Sequence, residues 1–145
     1  ILDAILAKGM SSRLFEEIRE KRGLAYTVNS FMERGRNYGY NIVYVGTTKD
    51  KVDKCKEIVL REIKELRNLE KSDFEEAKEQ LIGLREVGSE ESVNTMHELI
   101  EEEIGNDARE YYDYKENIKK VKLKQVQRLA NLKNYSSLSL LPESK

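Results

Sequence analysis

The chain has 145 residues, 39% of them hydrophobic, and a single proline, which is enough apolar material for one globular domain and too much for a disordered segment. Lys plus Arg (26) nearly balances Asp plus Glu (27), so no overall charge draws the protein to nucleic acid or to anionic lipid, and partner choice rests on local sites. The one cysteine, Cys55, excludes an internal disulfide and a cysteine-rich zinc cluster and fits a reducing, cytoplasmic compartment, and no stretch reads as a membrane span.

ILDAILAKG, residues 1–9, reads as the inside of an apolar helix without a cap or polar lead-in. The chain is therefore expected to be an N-terminally truncated piece of a larger protein, with a first strand of its sheet missing upstream. A second helix follows, opened by Ser11 or Ser12 as N-cap, with Leu14, Phe15 and Ile18 at helical spacing. Arg19, Lys21 and Arg22 crowd its last turn, where the dipole favours cations, and Gly23 can adopt the left-handed stop. AYTVNSFMER (25–34) and NYGYNIVYVGTT (37–48) read as strands of an antiparallel hairpin, with a loop of four or five residues around GRNYG and both faces at least partly covered.

Thr48 or its neighbour can cap the next helix, whose Val52, Cys55, Ile58, Val59, Ile63 and Leu66 form one stripe to lie on the sheet. Ser72-Asp73-Phe74-Glu75 has the pattern of a capping box and opens a helix with Phe74, Ala77, Leu81 and Leu84 on one face, interrupted at Gly88 and Ser89. A fourth helix carries Val93, Met96, Ile100 and Ile104 and ends at Gly105-Asn106; Tyr111, Tyr112, Ile118 and Val121 suggest a fifth. KLKQVQRLANL (122–132) gives a short sixth, and YSSLSLLPES (135–144) reads as a last strand that joins the hairpin to bury its leucines. The fold class is α+β: residues 1–145 as one domain, an antiparallel sheet of the hairpin plus a C-terminal strand, backed by several helices.

The chemical candidates are few. His97, the single histidine, stands in HELIEEE without the second histidine that a catalytic zinc helix needs, and reads as a surface residue on a solvated helix face. Cys55 lies between Val52 and Val59 on the apolar stripe and reads as a small buried hydrophobe. Eight tyrosines on an open sheet would suit stacking of single-stranded nucleic acid, but the strands carry few basic residues, with Arg34 and Arg36 confined to the turn, so no nucleic acid partner is expected. Gly-rich phosphate loops are absent. Arg19 and Tyr26 have two readings from spacing alone: helix ending and strand head, or a guanidinium and a phenol presented to a ligand.

GMSSRLFEEIREKRGLAYTVNSF, then YGYNIVYVGTT and a Val-containing helix, then FEEAKEQLIG and the later EES, closely resemble the insulinase-like zinc peptidases, the family of mitochondrial processing peptidase and its bacterial and archaeal relatives. The resemblance is to the C-terminal half of such an enzyme. It implies a clamshell with an N-terminal half or paired subunit that carries an inverted His-x-x-Glu-His zinc motif, a motif this chain lacks. It further implies no cofactor in this chain, a peptide or unfolded polypeptide as substrate, and Arg19 and Tyr26 as auxiliary catalytic residues that reach the substrate. Alone, the chain is expected to be inactive, and the open sheet edge left by a missing strand makes homo-oligomers an expected partner state. Two rivals stay open: a non-catalytic scaffold or assembly member of the same family, and a peptide-binding α+β module without an enzymatic partner.

Overall fold

The computed structural model describes residues 1–131 and 134–141. It is an α+β arrangement in which a two-stranded antiparallel hairpin, β1 (Ala25–Gly35) and β2 (Tyr38–Thr47), is joined by six α-helices and one π-helix. The helices are α1 (Leu2–Ala7), the π-helix (Phe15–Glu20), α2 (Val52–Glu65), α3 (Lys71–Gly88), α4 (Ser92–Gly105), α5 (Glu110–Lys120) and α6 (Leu123–Leu129). The hairpin register runs from Gly35 opposite Tyr38 to Ala25 opposite Thr47, so its loop is only Arg36 and Asn37, shorter than the GRNYG pattern suggests.

The period of two in the strands divides the hairpin into unlike faces. Val28 opposite Val45 and Ser30 opposite Val43 line the covered face, where Val28 is buried and Val43 and Val45 pack on the core. α1 lies over that face, with Asn41 Nδ2 donating to Asp3 Oδ1 at 2.8 Å and Ser30 Oγ to the Asp3 carbonyl at 3.5 Å. The other face, with Phe31, Tyr38, Tyr40 and Tyr44, is exposed; the expectation that both faces are at least partly covered holds for the valine side alone. Aromatic and β-branched residues at alternate positions make a strand, but they do not say which side a helix will take.

The core gathers Leu6, Leu14, Ile18, Ile58 and Leu66, all essentially without solvent contact, together with Phe74, Ala77 and the free thiol of Cys55. Three polar links tie the helices around it. Arg13 Nη2 meets Asp73 Oδ2 at 2.9 Å, Gln80 Nε2 donates to the Lys8 carbonyl at 3.2 Å, and the largely buried Lys78 amine donates to the Lys119 carbonyl at 3.0 Å, where the end of α5 concentrates negative dipole.

Several expectations are corrected here. The capping box at Ser72 to Glu75 does not form: α3 begins earlier with Glu70 at the N-cap and no side-chain cap bond, while Asp73 is held by Arg13. Leu84 is exposed and Ile82 is buried in its place. The stripe on α4 faces solvent, with Val93, Met96, Ile100 and Ile104 all exposed, since helical periodicity reports an apolar face but not what covers it. No C-terminal strand is seen among the described residues: 134–141 have no regular secondary structure and pair with neither strand, and Leu138 and Leu140 are 97% and 98% exposed. The remainder of that predicted strand, 142–144, lies outside the described residues. Alternating leucines make a segment able to form a strand, but the ladder partner must come from elsewhere in space.

Candidate functional site

The segment from Gly9 to Tyr26 departs repeatedly from regular helix and strand geometry. Ser12 is buried, but its hydroxyl turns back to the Gly9 carbonyl at 2.7 Å rather than forward over the helix, so neither Ser11 nor Ser12 provides the expected side-chain cap. Leu14 and Ile18 then enter the core, one turn apart. The helix opens to a π turn, in which the Lys21 amide donates five residues back, to the Glu16 carbonyl at 2.8 Å. Such wide turns are rare and concentrate at functional sites.

Gly23 ends the helix with φ of 55°, the left-handed conformation that its sequence position predicts. Its amide reaches the Arg19 carbonyl at 3.0 Å, and the Leu24 amide reaches the Ile18 carbonyl at 2.9 Å. Lys51 Nζ on the Gly23 carbonyl and Thr47 Oγ1 on the Leu24 carbonyl fasten the exit to the far end of β2. The chain therefore enters β1 at a fixed point.

Charge on this helix is organised around Glu17, which the sequence pattern did not single out. Its carboxylate accepts from Lys21 Nζ at 2.9 Å, Arg22 Nη1 at 2.6 Å and Arg61 Nη2 of α2 at 2.8 Å. The Lys21 hydrogen bond, with Arg22 behind it, outweighs partial burial and holds the Glu17 carboxyl down at about 2. Arg61 also reaches Glu62 Oε1 at 2.9 Å, so two carboxylates and three cations join the π-helix to α2. Of the cations crowding the helix end, Lys21 and Arg22 are thus held by Glu17. Arg19 is not: its guanidinium lies over the Phe15 ring, 4.9 Å from the centroid, and among the described residues it makes no ion pair.

Tyr26 sits at an interruption of the ladder. Ala25 pairs with Thr47 and Thr27 with Gly46, which leaves Tyr26 as the extra residue of a β-bulge. Strict alternation would place Tyr26 on the covered face with Val28. Instead its side chain is 70% exposed and lies against Gly46, and among the described residues no hydrogen bond engages its hydroxyl. Arg19 and Tyr26 are brought to the same junction of helix and hairpin, though no hydrogen bond joins them. The other candidates lie apart: His97 is exposed on α4 and Cys55 is buried in α2. Among the described residues no three His, Cys, Asp or Glu side chains converge as metal ligands, and no helix is long and apolar enough to cross a membrane.

The sequence profile of a family described as "Peptidase M16 inactive domain" matches residues 1–81. An alignment 107 residues long, covering 69% of this chain and 26% of the relative, is 31% identical to an "uncharacterized zinc protease YmxG" of Bacillus subtilis. A stretch of 82 residues, 56% of the chain, is 37% identical to an "uncharacterized zinc protease" of Rickettsia bellii and covers 20% of it. The chain thus spans about a quarter or less of the length of these relatives. Among solved structures, a protease from Helicobacter pylori superposes with a TM-score of 0.77 over 90% of this chain and 33% of its own, at 20% identity. A peptidase M16 inactive domain from Pseudomonas fluorescens superposes with a TM-score of 0.68 over 89% of this chain and 32% of its own, at 24% identity. These two share the fold.

Proposed function

The chain belongs to the M16 peptidase family of zinc proteases, as its C-terminal, inactive domain, and on that premise we propose that it is the substrate-holding half of a zinc-dependent endopeptidase acting on peptides or unfolded polypeptides. The observation that supports this reading is that two polar groups near one junction of helix and hairpin have no hydrogen-bond or ion-pair partner among the described residues: the Tyr26 hydroxyl, turned to the open face by a bulge, and the Arg19 guanidinium, which lies over the Phe15 ring. Every other cation of that helix end is tied to Glu17.

The zinc of such an enzyme would be held by the N-terminal half or a paired subunit, where it would activate water for attack on a peptide carbonyl. This chain would supply donors. A phenol donates one hydrogen bond to an oxygen on which charge develops, an interaction that strengthens only as the transition state forms. A guanidinium keeps its charge and offers a fork of donors, suited to a backbone carbonyl of the substrate or to the same oxygen. By itself the domain binds and orients, and cleaves nothing.

In the complete protein, Tyr26→Phe should leave folding unchanged and lower turnover about ten- to a thousandfold, and Arg19→Lys should lower it as well if the fork makes a bidentate contact. Zinc content should stay normal in both. Wild-type turnover in Tyr26→Phe would return the ring to a packing role and favour the scaffold reading of this domain.

A further inference from the structure

We propose that Gly46 is a positioning residue for Tyr26: the bulge in β1 turns the phenol onto the open face of the hairpin, and the absence of a side chain at position 46 provides the seat on which the ring lies. The inference rests on the reading of Tyr26 as the residue that meets the substrate, and it concerns what aims that residue.

Gly46 stands opposite Thr27 in the register, and a Cβ placed there would lie 2.6 Å from Tyr26 Cζ, 2.7 Å from Tyr26 Cε2 and 2.6 Å from Thr27 Cγ2. Real Cβ atoms do not approach other heavy atoms so closely. Nor does the backbone at Gly46 call for glycine, since the only glycines with positive φ among the described residues are Gly9 and Gly23. Close approach is then what sets Gly46 apart in β2, where glycine weakens the ladder: at Gly39, the strand's other glycine, a Cβ would meet nothing nearer than the Glu33 carbonyl at 3.7 Å.

The burial pattern agrees. The neighbouring strand positions on the same face as Gly46 are the exposed Tyr44 and the partly exposed Ile42, yet Gly46 itself is buried, with the Tyr26 ring and the Thr27 methyl group standing over it. No hydrogen bond among the described residues holds the Tyr26 hydroxyl, so the ring contact with the strand is what fixes where that hydroxyl stands. Thr47, next in the strand, fastens the Leu24 carbonyl just before the bulge. One short stretch of β2 therefore anchors the backbone entering Tyr26 and seats its ring.

The test uses the complete protein. With glycine-labelled protein, the Gly46 α-proton resonance should carry a ring-current displacement that persists in Tyr26→Phe and disappears in Tyr26→Ala. In parallel, Gly46→Ala is introduced on a Thr27→Ser background, which removes the methyl clash and leaves the ring as the obstacle. There it should lower kcat on a peptide substrate about ten- to a hundredfold with KM within about threefold, and add less than about twofold when Tyr26→Ala is already present. A Gly46 resonance indifferent to Tyr26→Ala overturns the seat, and an undiminished effect of Gly46→Ala in the Tyr26→Ala protein overturns its action through Tyr26. Unaltered turnover in Tyr26→Phe refutes the role of the hydroxyl instead, and is distinguished by the resonance, which reports the ring whatever the activity.

Discussion

Replacing Glu17 by Gln tests how the helix that carries Arg19 is held. The change keeps shape and one acceptor oxygen but removes the charge on which Lys21, Arg22 and Arg61 converge at 2.9, 2.6 and 2.8 Å. A carboxyl brought from 4.5 to about 2 would correspond, at ~1.4 kcal/mol per tenfold change, to about 3 kcal/mol if nothing screened it. Solvent does screen it: the carboxylate side chain is only 17% exposed, but those of Lys21 and Arg61 are 52% and 43% exposed. A loss of about 1 to 1.5 kcal/mol is therefore expected, or roughly 3 to 5 °C in Tm for a domain of this size. Because the folded-state value lies below the unfolded one, the contribution is complete above the unfolded value and is lost as pH falls from about 5 toward 2. Thermal unfolding of wild type and Glu17→Gln, followed by circular dichroism from pH 7 down to pH 3, should show the gap in Tm closing as acid is added, and 1 M salt should narrow it at pH 7. A gap that stays constant down to pH 3 would show that Glu17 acts through packing and not through its charge.

Gly23→Ala should cost about 1 kcal/mol, because φ of 55° is strained for any residue with a Cβ, and Tm is the measurement. The chain should hold no stoichiometric zinc after dialysis, checked by elemental analysis; one tightly held ion per chain would contradict the assignment of the metal to the other half. Both strands of the two-stranded sheet have an unpaired edge among the described residues, so light scattering should show association that grows with concentration, and a strict monomer would mean that the edges are covered.

The packing of α2 and α3 was legible in the sequence because their periodicity follows the core, whereas the equally periodic stripe of α4 faces solvent. Cys55 and Ile58 on α2, Phe74, Ala77 and Leu81 on α3, and the stop at Gly23 all follow from spacing or from the special conformations open to glycine. What failed depended on partners distant in the chain. Ser72 and Asp73 have the letters of a cap, but Arg13, sixty residues earlier, holds Asp73; the leucines at 138 and 140 alternate as in a strand, yet pair with nothing described. The candidate site divides the same way. Arg19 and Tyr26 could be named from the Gly9 to Tyr26 stretch, whereas Glu17 could not, because the charge that marks it includes Arg61 from another helix, and neither could Gly46, because its significance appears only when the register sets it under the Tyr26 ring.

The departures from regular geometry have a common location, which strengthens the case that they act together. The π turn adds a residue before the helix end, the left-handed Gly23 reverses the chain, and the bulge adds a residue just after the strand begins. The π turn and the bulge each interrupt a regular hydrogen-bond ladder, and proteins retain such features where a side chain must be aimed in a direction that regular elements do not offer. Arg19 stands in the π turn and Tyr26 at the bulge, and the groups that hold the distortion are Glu17, Lys21 and Arg22 of the helix itself, Arg61 from α2, and Thr47 of β2 with Lys51 of the following turn on the carbonyls of Leu24 and Gly23. If the distortion serves to aim these two side chains, relaxing it should alter turnover before it alters the fold. Thr47→Val, which keeps the β-branched shape and releases the Leu24 carbonyl, should therefore lower kcat in the complete protein while costing about 1 kcal/mol of stability. Equal kcat at reduced Tm would leave the anchoring of Leu24 a matter of stability alone.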